Sequence, residues 1–329
     1  MNGTASRRGA PSCGGLALLT GRTEQGLDQL ALGAALLTVV LWASAFVGIR
    51  AVAPQLSPGS IALGRLVIGS VVLGLLLVVR GWRRPSRRAV VLIVGSGVTW
   101  LAAYNLALNE AERIVDAGTA AMLVNIGPVF IALFAGLFLG EGLPGRLLLG
   151  CLVAFGGSAV IGLATSGQPS LGADAPLGIA LCVGAALAYA TGVTLQKPAL
   201  REVSALQVTW MACLTGAVVC LPFAPGLADE LGKADTTTLA WLVYLGLFPT
   251  SLAFTTWAFA LGRSSAGRLG STTYLVPPIA ILLGWLLLQE APPALAIAGG
   301  IVCIGGVIIA RWRGGISWGR ARPAAAEDA

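Results

Sequence analysis

The chain has 329 residues, of which 56% are hydrophobic types and 11% charged, with a mean hydropathy of +0.85. A soluble domain carries about 25% charged residues, so composition excludes a pair of soluble domains and equally a disordered or collagenous chain. A multi-pass membrane protein remains. The net charge is +7, with 19 Arg and 2 Lys, and these residues flank apolar runs, which is the pattern of membrane orientation rather than of nucleic-acid binding.

Ten apolar runs follow one another along the chain: 30–49, 59–79, 89–108, 117–139, 146–164, 177–196, 204–223, 238–260, 267–288 and 294–312. Each is near the roughly 20 residues a membrane helix needs. None alternates as a barrel wall would. The expectation is an all-α, polytopic fold of ten transmembrane helices with short connections. Residues 1–29 and 313–329 are expected to be disordered cytoplasmic tails. With the N-terminus inside, the inner segments hold 17 Lys and Arg and the outer segments 3. That asymmetry favours both termini in the cytoplasm.

Candidate functional residues come from polar or aromatic side chains within these runs. Trp42 and Ser44 lie in the first. Arg65 lies about six residues into the second, where an arginine costs about 2.5–3.5 kcal/mol. Its planar fork suits a substrate carboxylate. Tyr104 and Asn105 close the third run. Asn125 stands three residues before Pro128 in the fourth. Tyr189 lies in the sixth. Tyr274 stands three residues before Pro277-Pro278 in the ninth. These side chains are expected to line a cavity that is mostly apolar with a few polar anchors. Proline within a helix frees a carbonyl, which must face protein or water, so Pro128, Pro277 and Pro278 are candidate hinges. Glu141 and Glu290 close the same two helices, where a carboxylate opposes the helix dipole; they are candidate gates.

Some chemistry has no carrier. Histidine is absent, which removes Ser-His-Asp and Cys-His catalysis and His-ligated zinc or haem. Cys13, Cys151, Cys182, Cys213, Cys220 and Cys303 form no CxxC pair and read as small buried hydrophobes. No catalytic residue, metal or cofactor is expected. No acid lies deep in a run, which disfavours a buried-carboxylate proton relay. No Walker A sequence is present to drive a pump.

The chain also repeats itself. Shifted by 149 positions, residues 117–157 align with 266–306 without a gap and share 12 of 41 identities. Among them are Pro128/Pro277, Glu141/Glu290, Pro144/Pro293 and Gly156-Gly157/Gly305-Gly306. Extending the match makes 30–164 and 177–312 two halves of five helices. Five is odd, so the second half enters the membrane from the opposite side, an arrangement of many transporters.

Three features together resemble the EamA family of the drug/metabolite transporter superfamily: Leu41-Trp42-Ala43-Ser44-Ala45-Phe46, Arg65, and the block from Ala117 through Pro128-Val129-Phe130 to Leu139-Gly140-Glu141 with its echo from Ala266 to Glu290. The resemblance covers residues 30–312. It implies two inverted five-helix repeats around a central cavity that carries small metabolites, with export the favoured direction. One departure is that no arginine in the seventh run matches Arg65. The expected function is secondary transport of amino acids or related compounds by alternating access in a bacterial inner membrane. The expected partners are a small-molecule substrate and the lipid bilayer, with no nucleic acid, and the chain is a monomer or homodimer. The alternatives are an intramembrane lipid-modifying enzyme and a structural or signalling membrane protein without flux.

Overall fold

The structure, a computed structural model, describes residues 14–114, 123–165, 175–288 and 293–312. Every regular element among them is helical. α1 is Gly14–Val52 and α2 is Pro58–Arg80. α3 is built from Arg87–Ser96, a π-helical Gly97–Ala103 and Tyr104–Ile114. α4 is Gly127–Phe138, α5 Gly145–Thr165, α6 Ala175–Ala199 and α7 Ala205–Val219. The chain then bends by 55° into the short α8, Ala224–Lys233. α9 joins Thr236–Leu245, a π-helical Gly246–Leu252 and Ala253–Arg263. α10 joins Ala266–Ser271, a 3-10 segment Thr272–Leu275 and Val276–Leu288. α11 is Ala294–Arg311.

Among the described residues eight helices are long and apolar enough to cross a membrane. The bent pair α7 and α8 makes a ninth candidate, and α4 is a shorter apolar helix. The chain is therefore a multi-pass membrane protein. Its outer surface agrees, since Leu75, Val78, Val79, Leu137 and Phe138 are left more than half exposed. Such an apolar girdle on membrane-length helices suits a lipid surround.

Local signals explain where helices begin and end. Pro58 occupies the first turn of α2, where its missing N–H costs nothing. Gly81 then ends α2 with φ 86, a left-handed value that favours glycine. Ser86 caps α3 by accepting from the Ala89 amide at 3.1 Å, and Asp235 caps α9 by accepting from the Thr238 amide at 2.7 Å.

Those two caps are 149 residues apart, and the same interval relates much of the structure. Gly97 corresponds to Gly246 and Ala103 to Leu252, so both π segments fall at one place in the repeat. The packing repeats as well. α1 packs on α9 and its counterpart α6 on α3, while α2, α4 and α5 each pack on their own counterparts α7, α10 and α11. Counterparts run antiparallel. On α5 and α11, Gly150 faces Gly306 and Ala310, whereas Gly157 faces Gly299 and Cys303. On α2 and α7, Gly74 faces Trp210 and Gly69 faces Cys213.

The α5–α11 contact is the tightest of these. A Cβ on Gly306 would lie 2.4 Å from the Ala154 nitrogen, and one on Gly157 would lie 2.6 Å from the Gly299 oxygen. Only glycine lets the two backbones meet. The other members of the doublets, Gly156 and Gly305, have nothing within 4 Å. Gly306→Ala is therefore expected to destabilise the protein by about 1–3 kcal/mol. Gly305→Ala should leave the midpoint unchanged or slightly raised. Thermal unfolding of both variants in detergent checks the contrast.

At the Asp235 end, the α1–α2 loop is tied to α8 and α9. Gln55 Nε2 donates to Asp235 Oδ2 at 2.7 Å, the Asp235 amide donates to Gln55 Oε1 at 2.9 Å, and the Ser57 amide donates to Glu230 Oε2 at 2.9 Å. The Thr238 amide, and after it the Gln55 side chain, hold the Asp235 carboxyl below the usual aspartate range. A depressed folded pKa contributes stability above the unfolded pKa, and that stability is lost as pH falls through the folded value. The wild-type advantage in melting temperature over Asp235→Ala should be full at neutral pH. It should vanish on acidification below the aspartate range, as read from paired melting curves.

Candidate functional site

The two halves meet around an aromatic cluster. Trp42 of α1 stands 5.9 Å from Trp100 of α3, 5.4 Å from Phe254 of α9 and 5.1 Å from Trp257 of α9. Tyr189 of α6 lies 5.2 Å from Trp100 and 5.9 Å from Tyr104. Edge-on and tilted rings at these separations are mutually attractive. The ring atoms fill the space where a cavity is expected. Trp257 is fully buried and Trp100 is 4% exposed. The indole N–H groups of Trp42 and Trp257 are buried without a hydrogen-bond partner. An unmet buried donor costs about 1–3 kcal/mol, so two at one spot are a standing cost that packing alone does not explain.

Beside this cluster, Arg65 borders a cavity of about 30 Å³ shared with Asn105, Thr250 and Phe254. That volume holds about one water. Arg65 Nε donates to Thr250 Oγ1 at 3.2 Å, and Thr250 Oγ1 donates to the Leu245 carbonyl five residues back at 2.8 Å. Ser251 does the same to Gly246 at 2.8 Å. The wider π turn sends its hydroxyls to i−5 carbonyls, and Arg65 is thereby held on the backbone of the other half. Phe254 belongs to both groups, so the arginine and the aromatic cluster form one continuous site.

The other candidates are distributed more widely. Asn105 Nδ2 donates to the Leu101 carbonyl at 2.9 Å. Ser44 lies apart, exchanging a hydrogen bond of 2.7 Å with the Tyr244 hydroxyl. Asn125 is half-buried in the turn before Gly127, which presses on the Tyr189 ring. Its repeat counterpart Tyr274 sits in a separate apolar cluster with Cys151, Ala154 and Val307, and its buried hydroxyl is unpaired. Pro128 occupies the first turn of α4, and Pro277-Pro278 the first turn of the last segment of α10. Pro128 thus follows a turn, and Pro277-Pro278 follow a 3-10 segment within the continuous α10. Glu290 lies outside the described residues.

Glu141 lies at the opposite end from Asp235. Gly140 and Gly142, with φ 66 and φ 74, adopt left-handed conformations on either side of it. They turn its carboxylate inward, and only glycine takes such angles without cost. Lys197 Nζ lies 2.8 Å from Glu141 Oε1 and donates to the carbonyls of Leu261 and Ser264. Glu141 Oε2 accepts from the Ala266 amide at 2.7 Å. The pair joins the ends of α4, α6, α9 and α10. Its side chains are only 14% and 16% exposed, so removing one partner would strand the other. Next to it opens a cavity of about 680 Å³ whose floor includes Ala35, Ala135 and Leu269. The same three residues belong to the apolar packing around the aromatic cluster.

Sequence reasoning did not single out Thr250, Phe254 or Lys197. Thr250 and Phe254 carry no signal beyond their place in an apolar run, and Lys197 reads there as an ordinary flanking cation.

A family model described as the EamA-like transporter family matches residues 29–163 and again 176–312. A protein of Streptantibioticus cattleyicolor named "Probable terminal-alkyne amino-acid exporter" is 37% identical over 281 residues, covering 85% of this chain and 92% of its own. A Bacillus subtilis protein named "Uncharacterized transporter YdfC" is 31% identical, covering 82% and 87%. A solved structure titled "Crystal structure of protein" superposes with a TM-score of 0.72 at 20% identity, over 85% of this chain and 96% of that one, and so shares the fold. The chain belongs to the EamA-like transporter family.

Proposed function

We propose that the protein is a secondary transporter of amino acids or related small metabolites, working by alternating access, with export the favoured direction. In this reading ten helices cross the bacterial inner membrane as two inverted halves and both termini are cytoplasmic. The observation that carries it is the aromatic cluster. It is drawn from α1 and α3 of one half and α6 and α9 of the other, and it buries two indole donors without partners. A solute or water entering between the halves would meet those donors, together with Arg65 at the edge of the cluster.

The relatives support the solute class, since one is named as an amino-acid exporter. An apolar aromatic surface with a nearby guanidinium suits a hydrophobic side chain and a carboxylate. Pro128 and Pro277-Pro278 act as hinges beside helix irregularities, and Glu141 with Lys197 as the gate at its end. Residues Trp42, Tyr104, Asn105 and Tyr189 shape the binding surface around Arg65. Relatives named as transporters give no support to the lipid-modifying enzyme.

Counterflow of an amino-acid panel into vesicles containing the purified protein is expected to show saturable exchange, and product formation without flux would reject the proposal. Arg65→Ala should abolish exchange at unchanged membrane abundance. Thr250→Val removes the partner oxygen at nearly constant shape. It is expected to slow exchange about ten-fold, the worth of one hydrogen bond to a charged group. Thr250→Ser should restore most of the rate. Equal rates for wild type and Thr250→Val would show that Arg65 needs no anchor on the π segment.

A further inference from the structure

The cavity beside Glu141 carries a distinctive charge pattern. Arg263 at the end of α9, Arg268 at the start of α10 and Arg311 at the end of α11 all line it. Arg263 is pre-placed, since its guanidinium lies 3.6 Å from the Phe259 ring centroid and donates to the Phe259 carbonyl at 3.3 Å. Among the described residues lining the cavity, Glu141 is the one acid, and Lys197 already neutralises it. Among the described lining residues the exposed Arg263 and Arg268 therefore leave a positive balance, and the floor is apolar.

We infer that this basic chamber is a loading site that captures the carboxylate of an amphipathic solute before the solute reaches the aromatic cluster. The inference rests on the transporter reading and names the solute chemistry that its entrance selects. Position favours a solute over a lipid headgroup. Ala35, Ala135 and Leu269 are 1%, 1% and 2% exposed, so the floor is protein core and not the lipid-facing flank. A ligand held by the arginines rests on the side chains that separate it from Trp42, Trp100 and Trp257. The volume of about 680 Å³ falls in the range of small-molecule sites. The guanidiniums stand at the rim, where they draw in anions over a Debye length of about 10 Å at moderate salt.

The test uses the full chain in phosphatidylcholine nanodiscs, with intrinsic tryptophan fluorescence as the binding readout. The probes are 4-methylpentanoate, a branched apolar carboxylate, and 3-methylbutylamine, an apolar amine of similar size. The carboxylate is expected to bind saturably and the amine at least ten-fold more weakly. The double variant Arg263→Gln/Arg268→Gln changes two exposed side chains and should weaken carboxylate binding about ten-fold, leaving the amine unaffected. High salt should mimic the variant on wild-type protein. Equal binding of the two probes, or a double variant that binds as wild type does, overturns the inference. So does a loss on substitution that appears only when phosphatidylglycerol is present, which would make the arginines a lipid contact. Counterflow on the same preparations separates the two proposals. Carboxylate binding without exchange of any amino acid sinks the transport reading alone, and exchange without carboxylate preference sinks this inference alone.

Discussion

Neither half of this protein has a core of its own, and that constraint shapes the rest. The main contacts of α1 are with α9 and α10, and those of α6 with α3 and α4, while α2, α4 and α5 each lean on a counterpart from the other half. In lipid there is no hydrophobic drive between helices beyond close packing and polar contact. Contact between the halves must therefore come from shape, and glycine supplies it along α5 and α11. Binding surfaces made in this way are interfaces by construction. In the proposed cycle a solute would enter between the two related halves, whose repeat relation is what alternating exposure of one site requires.

The paired π segments have a physical consequence for that exchange. A π turn widens the helix and leaves its i−4 bonding out of step. In α9 two side-chain hydroxyls bond i−5 carbonyls, and one of them also holds Arg65. In α3 the corresponding segment has Thr99 bonding back to Gly95 and carries Trp100, which packs in the aromatic cluster. Each π segment thus connects a helix irregularity directly to the candidate site. Movement at either segment would re-aim a residue of the candidate site.

The sequence made some of this legible and hid the rest for identifiable reasons. Apolar runs and an isolated arginine stand out because lipid punishes exceptions. The repeat showed itself over 117–157 and 266–306 because proline, glycine and glutamate are rare enough there to be noticed. Elsewhere the 149-residue register survives in backbone geometry, as in the caps at Ser86 and Asp235, where the residue identities differ. Pro128 and Pro277 read as interruptions of a helix. The structure places Pro128 after a turn and Pro277 after a 3-10 segment, so each follows a local change of backbone geometry. Pairings such as Arg65 with Thr250, 185 positions apart, and Glu141 with Lys197 leave no mark in a single sequence. They depend on which faces meet, and hydrophobic period does not specify that in a bundle apolar on most sides.

The symmetry is broken at the polar contacts, and in the proposed cycle this favours one state. The repeat counterpart of Arg65 is Leu214, which is 41% exposed, and that of Thr250 is Leu101, which is buried. Lys197 corresponds to Gly48, pressed against Leu245 and Trp241. A lysine–glutamate pair like that at Glu141 therefore cannot be reproduced by the counterpart residues at the other end, where Gln55 and Ser57 meet Asp235 and Glu230 instead. That alternative link is exposed, and exposed pairs are worth about 0–1 kcal/mol. The partly buried Glu141–Lys197 pair costs more to separate, because each charge would be stranded. In a two-state cycle such a difference sets the resting population. In the proposed cycle the solute-free protein rests with the Glu141 end latched, and solute binding supplies the free energy that releases it.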